Sequence, residues 1–106
     1  MPNLAPMQKL EIVIEALELP RVLADVERAG ASGYTLLAHV TGKGGRGVRE
    51  DADLTDVFRS VLVTVVGSPA VITLIVEAVA PLLSTFAGIL VVPEVQVLEG
   101  HPPAER

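Results

Sequence analysis

The first apolar pattern along the chain has a period of two, because Leu10, Ile12 and Ile14 alternate with other residues. Alternation of this kind is typical of a β-strand with one buried face, and it predicts a first strand over residues 9–15. Beyond it, apolar residues recur at helical spacing between a proline suited to a first helical turn and a glycine suited to a helix end. This second pattern predicts a helix over residues 20–29.

Four further elements are predicted from apolar runs that begin or end at Gly, Pro or Ser residues. They are strands over residues 34–40, 57–66 and 88–98, and a helix over residues 69–80. Pro81 is expected to end or kink that helix, because proline lacks the N–H that a helix interior needs. Pro93 likewise cannot donate to a strand ladder, so we expect an edge position or a bulge there. The tail over residues 100–106 has no apolar periodicity and is expected to be loose.

The predicted order of elements is β-α-β-β-α-β, which in a chain of 106 residues indicates a ferredoxin-like α+β sandwich with both helices on one face of a sheet. The third strand is apolar on both faces, with Val61, Val63 and Val65 on one and Leu62 and Val66 on the other. A bare aliphatic sheet face in water would aggregate. We therefore expect a homo-oligomer whose sheets pack inward.

Composition and charge exclude several kinds of protein. The length is that of one domain, which we take to span residues 1–106 with a core over about 9–100. The formal net charge is −5, and the one local concentration of basic residues is a short segment rather than a stripe across a face, so a nucleic-acid-binding face is not expected. The absence of cysteine excludes disulfides, thiolate metal sites and cysteine nucleophiles. The two histidines lie too far apart in the sequence to suggest a zinc site.

One long apolar stretch raises the question of a membrane span. Residues 61–83 are nearly all apolar and about long enough to cross a bilayer. Gly67, Ser68 and Pro69 interrupt the stretch, however, and Glu77 would be costly in hydrocarbon. We interpret it as a buried strand, a turn and a buried helix. Because the first residues also lack the regions of an export signal, a cytoplasmic protein is expected.

A glycine-rich basic segment over residues 42–49 holds four of the nine glycines and three of the eight Lys and Arg residues. Glycines let backbone N–H groups approach an anion, and arginine presents a planar fork that matches phosphate oxygens. Phosphate binding is therefore one interpretation of the segment. A flexible connection between two strands is the other, and the segment alone does not decide between them.

Acidic residues follow that segment, and Asp51, Asp53 and Asp56 are spaced as metal ligands can be. A cation held there beside phosphates could promote hydrolysis. The spacing lacks the glycine and the terminal glutamate of an EF-hand loop, so we favour a solvated acidic loop and predict no metal site. No Ser, His and Asp residues fall in a recognisable triad order, and His39 is interpreted as a partly buried or edge-strand histidine. No catalytic residue is therefore predicted.

Three short motifs in order resemble those of PII-like signal-transduction proteins. Gly33-Tyr34-Thr35 starts the second strand, residues 42–49 form the glycine loop, and Phe86-Ala87-Gly88-Ile89 leads into the last strand. The likeness covers roughly residues 9–100 and is closest to the small PII-like regulators associated with bicarbonate uptake and carboxysomes. It implies a homotrimer with adenine nucleotides in the three clefts between subunits, and a long loop that partner proteins read.

The same resemblance implies roles for individual residues. Arg46 and Arg49 would hold the nucleotide phosphates, Thr35 would contact adenine, and Gly88 would lie in the turn that wraps the nucleotide from the neighbouring subunit. Arg59 would align with a phosphate-binding lysine of ordinary PII proteins. The alternative interpretations are that Arg59 is a solvated charge at a strand end, Thr35 only a strand residue and Gly88 only a turn glycine. The complete predicted nucleotide-binding set is Thr35, Gly42, Lys43, Gly44, Arg46, Arg49, Arg59 and Gly88.

The chain departs from the nitrogen-regulatory PII pattern in ways that change the expected function. The loop is shorter and has no tyrosine, so uridylylation is not expected. A glycine-rich turn of ordinary PII proteins is replaced by residues 81–85, which leaves fewer groups for a triphosphate and its magnesium ion. We therefore expect AMP, ADP or cyclic AMP to compete well with ATP, with bicarbonate as a candidate second ligand and no further cofactor.

Two functions follow from these observations. The first is a nucleotide-sensing signalling trimer that controls a partner, such as a membrane bicarbonate transporter or a carboxysome-related protein. The second is a slow nucleotide phosphohydrolase that uses the acidic end of the loop. A purely structural trimer would leave Arg46 and Arg49 without a role, and of the three interpretations the sensor accounts for most of the sequence.

Overall fold

The computed structural model describes residues 2–40, 60–85 and 88–99, and the following concerns those residues. They form a five-stranded sheet and two α-helices. In chain order the elements are β1 (Leu4–Glu15), a 3-10 turn (Ala16–Glu18), α1 (Leu19–Arg28), β2 (Thr35–Val40), β3 (Ser60–Gly67), α2 (Pro69–Thr85), β4 (Gly88–Val91) and β5 (Glu94–Leu98). The predicted α+β order is therefore confirmed.

β1 is the central strand of an antiparallel sheet in the order β2-β3-β1-β4. On one side residues 8–15 pair with β3, where Ile12 lies opposite Val63. On the other side it pairs twice, with β4 along residues 11–14 and with β5 along residues 4–8. This is the strand order of a ferredoxin-like sandwich, and it leaves β2 at one edge and β4 with β5 at the other.

The last predicted strand is divided into two at Pro93. Strand β4 ends at Val91 and β5 begins at Glu94, so the proline lies in the break between them. The carbonyl of Pro93 still accepts a hydrogen bond from the N–H of Lys9 at 2.9 Å, which keeps the edge continuous although proline has no N–H of its own. The predicted edge position is confirmed.

Two predicted boundaries are wrong. The first strand begins at Leu4 rather than at residue 9, because β5 pairs with its first five residues. The second helix runs through Pro81 to Thr85 rather than ending near residue 80. Pro81 is exposed, and its carbonyl accepts a hydrogen bond from the hydroxyl of Ser84 at 2.8 Å. The predicted first three residues of the third strand, 57–59, and the tail over residues 100–106 lie outside the described residues.

The core lies between the sheet and the two helices. Each strand or helix contributes residues at its own period, which is two along β1 and β3 and three to four along α2. The buried side chains are Leu10, Ile12 and Ile14 of β1, Val61, Val63 and Val65 of β3, Val22 and Val26 of α1, and Ile72, Ile75, Val79 and Leu82 of α2. Glu77 is exposed on the outer face of α2. No helix in the described ranges is long and apolar enough to cross a membrane.

Candidate functional site

The structure describes two of the predicted nucleotide-binding residues, Thr35 and Gly88. The other six lie outside the described residues, and they are Gly42, Lys43, Gly44, Arg46, Arg49 and Arg59. The acidic residues Asp51, Asp53 and Asp56 lie outside them too. Within residues 2–40, 60–85 and 88–99, no group of three or more His, Asp or Glu side chains is placed to hold a metal ion.

Thr35 is the first residue of the edge strand β2, and it is exposed. In register it lies opposite Thr64 of β3, which in turn lies opposite Glu11 of β1. Because Val63 and Val65 on either side of Thr64 are buried against the helices, the alternation of the strand turns Thr64 and Thr35 to the other face of the sheet. A ligand can therefore reach the Thr35 hydroxyl from the helix-free face.

Gly88 starts β4 and lies opposite Ile14 in the ladder with β1. A Cβ atom built at Gly88 would lie 2.7 Å from the carbonyl oxygen of Val13 and 2.8 Å from Cδ2 of Leu83. The strand can approach β1 and α2 this closely because residue 88 has no side chain. The fold therefore requires this glycine for packing, whatever its predicted part in ligand binding.

Thr35 and Gly88 lie at opposite edges of the sheet. Strands β3 and β1 run between β2 and β4, so the two residues are three strand spacings apart across the sheet, or about 14 Å. They are also offset along the strands, because Gly88 is in register with Ala38 rather than with Thr35. Both edges can line one ligand if the β2 edge of one subunit meets the β4 edge of another. Repeated around an axis, such a head-to-tail contact closes a ring.

The helix-free face of the sheet carries an apolar row across four strands. In register, Leu37 of β2 lies opposite Leu62 of β3, which lies opposite Val13 of β1, which lies opposite Ile89 of β4. Leu37 is 57% exposed and Ile89 is 58% exposed. We call these four residues the apolar row, and their exposure indicates a surface suited to contact with another chain.

The same face carries one ion pair that is closed within the chain. Lys9 and Glu11 are two residues apart on β1 and point to the face opposite the buried Leu10. The ammonium nitrogen of Lys9 lies 3.0 Å from a carboxylate oxygen of Glu11, and each side chain is 33% exposed. A face with a closed ion pair can be covered by another subunit at a lower desolvation cost than a face with a single uncompensated charge.

One feature of the site region has no signal in the sequence. Strand β2 contains a register shift between Ala38 and Val40, and His39 between them has a φ of 61°. Histidine is among the non-glycine residues enriched at positive φ, but most histidines have a negative φ, so the residue type alone did not predict this conformation. His39 is exposed on the edge strand, in agreement with the edge-strand interpretation.

Comparison with known proteins confirms the predicted resemblance. A family model described as nitrogen regulatory protein P-II matches residues 7–101. A putative PII-like signalling protein from Thermus thermophilus is 28% identical, with a TM-score of 0.74 over 96% of this chain and 99% of that one. Among curated proteins, no sequence matches the chain.

Two solved structures of CPII, a PII-like protein from Thiomonas intermedia, are also similar. The structure of CPII bound to ADP, AMP and acetate is 25% identical, with a TM-score of 0.77 over 90% of this chain and 91% of that one. The structure bound to ADP and bicarbonate is 25% identical over the same shares, with a TM-score of 0.76.

Proposed function

Because this chain belongs to the nitrogen regulatory P-II family, we propose that it is a homotrimeric signalling protein that binds adenine nucleotides and regulates a partner. Proteins of the family are generally signalling proteins and not enzymes, and they are usually trimers that bind adenine nucleotides. The match over residues 7–101 carries the proposal, since it covers both edges of the sheet and the glycine-rich segment.

The trimer is supported by the helix-free face of the sheet. The apolar row, defined above, would lose its contact with water if three sheets packed inward. A ring of three also brings the β2 edge of one subunit to the β4 edge of the next. Thr35 of one subunit and Gly88 of its neighbour would then line the same cleft, which they do not within one chain.

We propose that the nucleotide lies in this cleft with its adenine near Thr35. Arg46 and Arg49 bind the phosphates, because two guanidinium groups three residues apart on a glycine-rich segment suit bidentate phosphate recognition. Gly42, Lys43 and Gly44 supply backbone donors and charge, and Arg59 adds a further phosphate contact. AMP, ADP and cyclic AMP are expected to compete well with ATP for this cleft.

The signalling role we propose concerns inorganic carbon in the cytoplasm. Solved structures of CPII contain bicarbonate or acetate beside adenine nucleotides, which supports a small oxyanion as second ligand here. The regulated partner would be a membrane bicarbonate transporter or a carboxysome-related protein. The phosphohydrolase alternative depends on Asp51, Asp53 and Asp56, and no contact among the described residues favours it.

Calorimetric titration of the purified protein with AMP, ADP, ATP and cyclic AMP tests this function. We expect saturable heat with at least AMP and ADP at one site per chain, and no release of phosphate over the hours of the experiment. Bicarbonate should raise the nucleotide affinity, and nucleotide should raise the bicarbonate affinity by the same factor. Absence of heat with all four nucleotides would refute nucleotide sensing, whereas identical titrations with and without bicarbonate would remove the carbon-sensing part alone.

A further inference from the structure

The ion pair between Lys9 and Glu11 lies among apolar side chains on the helix-free face of the sheet. Its ammonium nitrogen and carboxylate oxygen are 3.0 Å apart. The side chains that surround it on this face are Met7 and Val13 along β1, Thr64 and Val66 on β3, and Val91 on β4. Within that set only Thr64 carries a hydroxyl group, so the pair has little polar support from its own chain.

The apolar surface continues beyond the ion pair in both directions along the strands. On one side lies the apolar row. On the other side, Met7 lies opposite Val95 and Ala5 lies opposite Val97, all on the helix-free face. A neighbouring sheet that covers this surface therefore covers the ion pair as well, inside the contact rather than at its rim.

Each member of the ion pair keeps hydrogen-bonding capacity that its partner within the chain does not use. An ammonium group has three donors and a carboxylate has two accepting oxygens, and each side chain is 33% exposed in a single chain. Covering these groups with an apolar surface would remove their water without replacing it. The covering surface must therefore present one negative and one positive group, and a second copy of this chain presents both in its own Glu11 and Lys9.

We propose that Lys9 and Glu11 are the recognition contact between subunits. Around the three-fold axis, Lys9 of each subunit also pairs with Glu11 of the next, so that two charges from each of three subunits close a ring of alternating sign. The inference rests on the inward-packed trimer of the proposed function. The ring sets the register of the sheets, because sliding one sheet by two residues, roughly 7 Å, would place its charges against the apolar row of its neighbour. It also favours a second copy of this chain over a partner that lacks this pair of charges.

The charge-reversal variants Lys9→Glu and Glu11→Lys test this contact by subunit complementation. Each variant alone places only like charges in the ring, so its trimer should dissociate at a protein concentration about tenfold or more above that of the wild type. The two variants are then mixed in equal amounts, one of them isotopically labelled, and observed by native mass spectrometry. We expect trimers that contain both chains, because opposite charges again face each other across the subunit contact.

Arg28→Asp is the matched control. Arg28 pairs with Asp25 at 2.8 Å on α1, so this variant also places two carboxylates together within one chain, but away from the helix-free face. It should remain a trimer on its own. If circular dichroism shows that a reversal variant does not fold, Lys9→Gln and Glu11→Gln provide a milder pair, for which mixed trimers should exceed the statistical share.

Reversal variants that are as trimeric alone as the wild type would overturn the inference. A mixture no more trimeric than its separate components would overturn it too, because the charges would then interact only within one chain. The same holds for a statistical mixture of the glutamine variants, and for dissociation of Arg28→Asp, since any local like-charge pair would then have this effect. A trimeric wild type with any of these results leaves the proposed assembly standing. A monomeric wild type, which would leave the face to another partner, would overturn the assembly and this inference together.

Discussion

Replacing Gly88 with alanine tests how closely β4 packs on the rest of the fold. The added Cβ would lie 2.7 Å from the carbonyl oxygen of Val13 and 2.8 Å from Cδ2 of Leu83. The leucine side chain can rotate away, but the carbonyl belongs to the central strand and cannot move without shifting its ladders to both neighbours. The conflict with the backbone therefore decides the outcome.

The size of the effect follows from two opposing contributions. Overpacking of this kind costs about 1 to 3 kcal/mol, and a glycine-to-alanine change offsets about 0.4 to 1 kcal/mol of that by restricting the unfolded chain. The difference spans about 0 to 2.6 kcal/mol, and because the carbonyl of Val13 cannot move freely we expect a net loss of about 1 to 2 kcal/mol of unfolding free energy for Gly88→Ala. For a chain of 106 residues this corresponds to a melting temperature lower by roughly 5 to 15 °C.

Gly67→Ala is the matched control. A Cβ at Gly67 would lie 3.7 Å from Cγ1 of Val71, which is ordinary van der Waals contact, so its melting temperature should stay within about 3 °C of the wild type. Thermal unfolding is followed by circular dichroism at one protein concentration, because the stability of an oligomer depends on concentration. If Gly88→Ala melts within about 3 °C of Gly67→Ala, the packing argument is wrong. Loss of ADP binding without loss of stability would then assign Gly88 to the ligand alone.

Three further predictions concern assembly and binding. Leu37→Asp should break the trimer by placing a charge in the apolar row. Leu74→Asp is the control and should leave the trimer intact, because Leu74 lies on the outer face of α2 and is 51% exposed. If sedimentation shows both variants to be trimeric, the inward packing of the sheets is wrong. Glu11→Gln leaves Lys9 unpaired on the helix-free face, so the trimer should be weaker and should already dissociate at protein concentrations where the wild type is still trimeric. An unchanged dissociation constant of the trimer would show that this face is not covered. Arg46→Ala and Arg49→Ala should each weaken ADP binding by about 1.5 to 3 kcal/mol in calorimetry with the trimer retained, and full affinity in the double variant would place the phosphates elsewhere.

The order and type of the elements could be predicted from the sequence because each has a clear period. The alternation of Leu10, Ile12 and Ile14 reports the buried face of β1 directly, and all three are buried. The extension of that strand back to Leu4 could not be predicted in the same way. Its first residues have no alternation of their own and become a strand through pairing with β5, which is distant in sequence.

The site was less accessible to sequence reasoning than the fold. The resemblance already implied that Thr35 and Gly88 belong to different subunits at one nucleotide, and the sheet order, which puts them at opposite edges of one chain, agrees with that. The close approach of Gly88 to β1 and the bulge at His39, however, had no sequence signal. Both depend on backbone geometry, which residue type alone does not specify.

Native mass spectrometry of the protein with excess ADP tests the central claim most directly, since it counts chains and ligands in one spectrum. The account predicts a species of three chains carrying three ADP molecules, with intermediate species of one and two ADP at lower ligand concentration. A monomer, or a trimer that binds no ADP at any concentration, would contradict it.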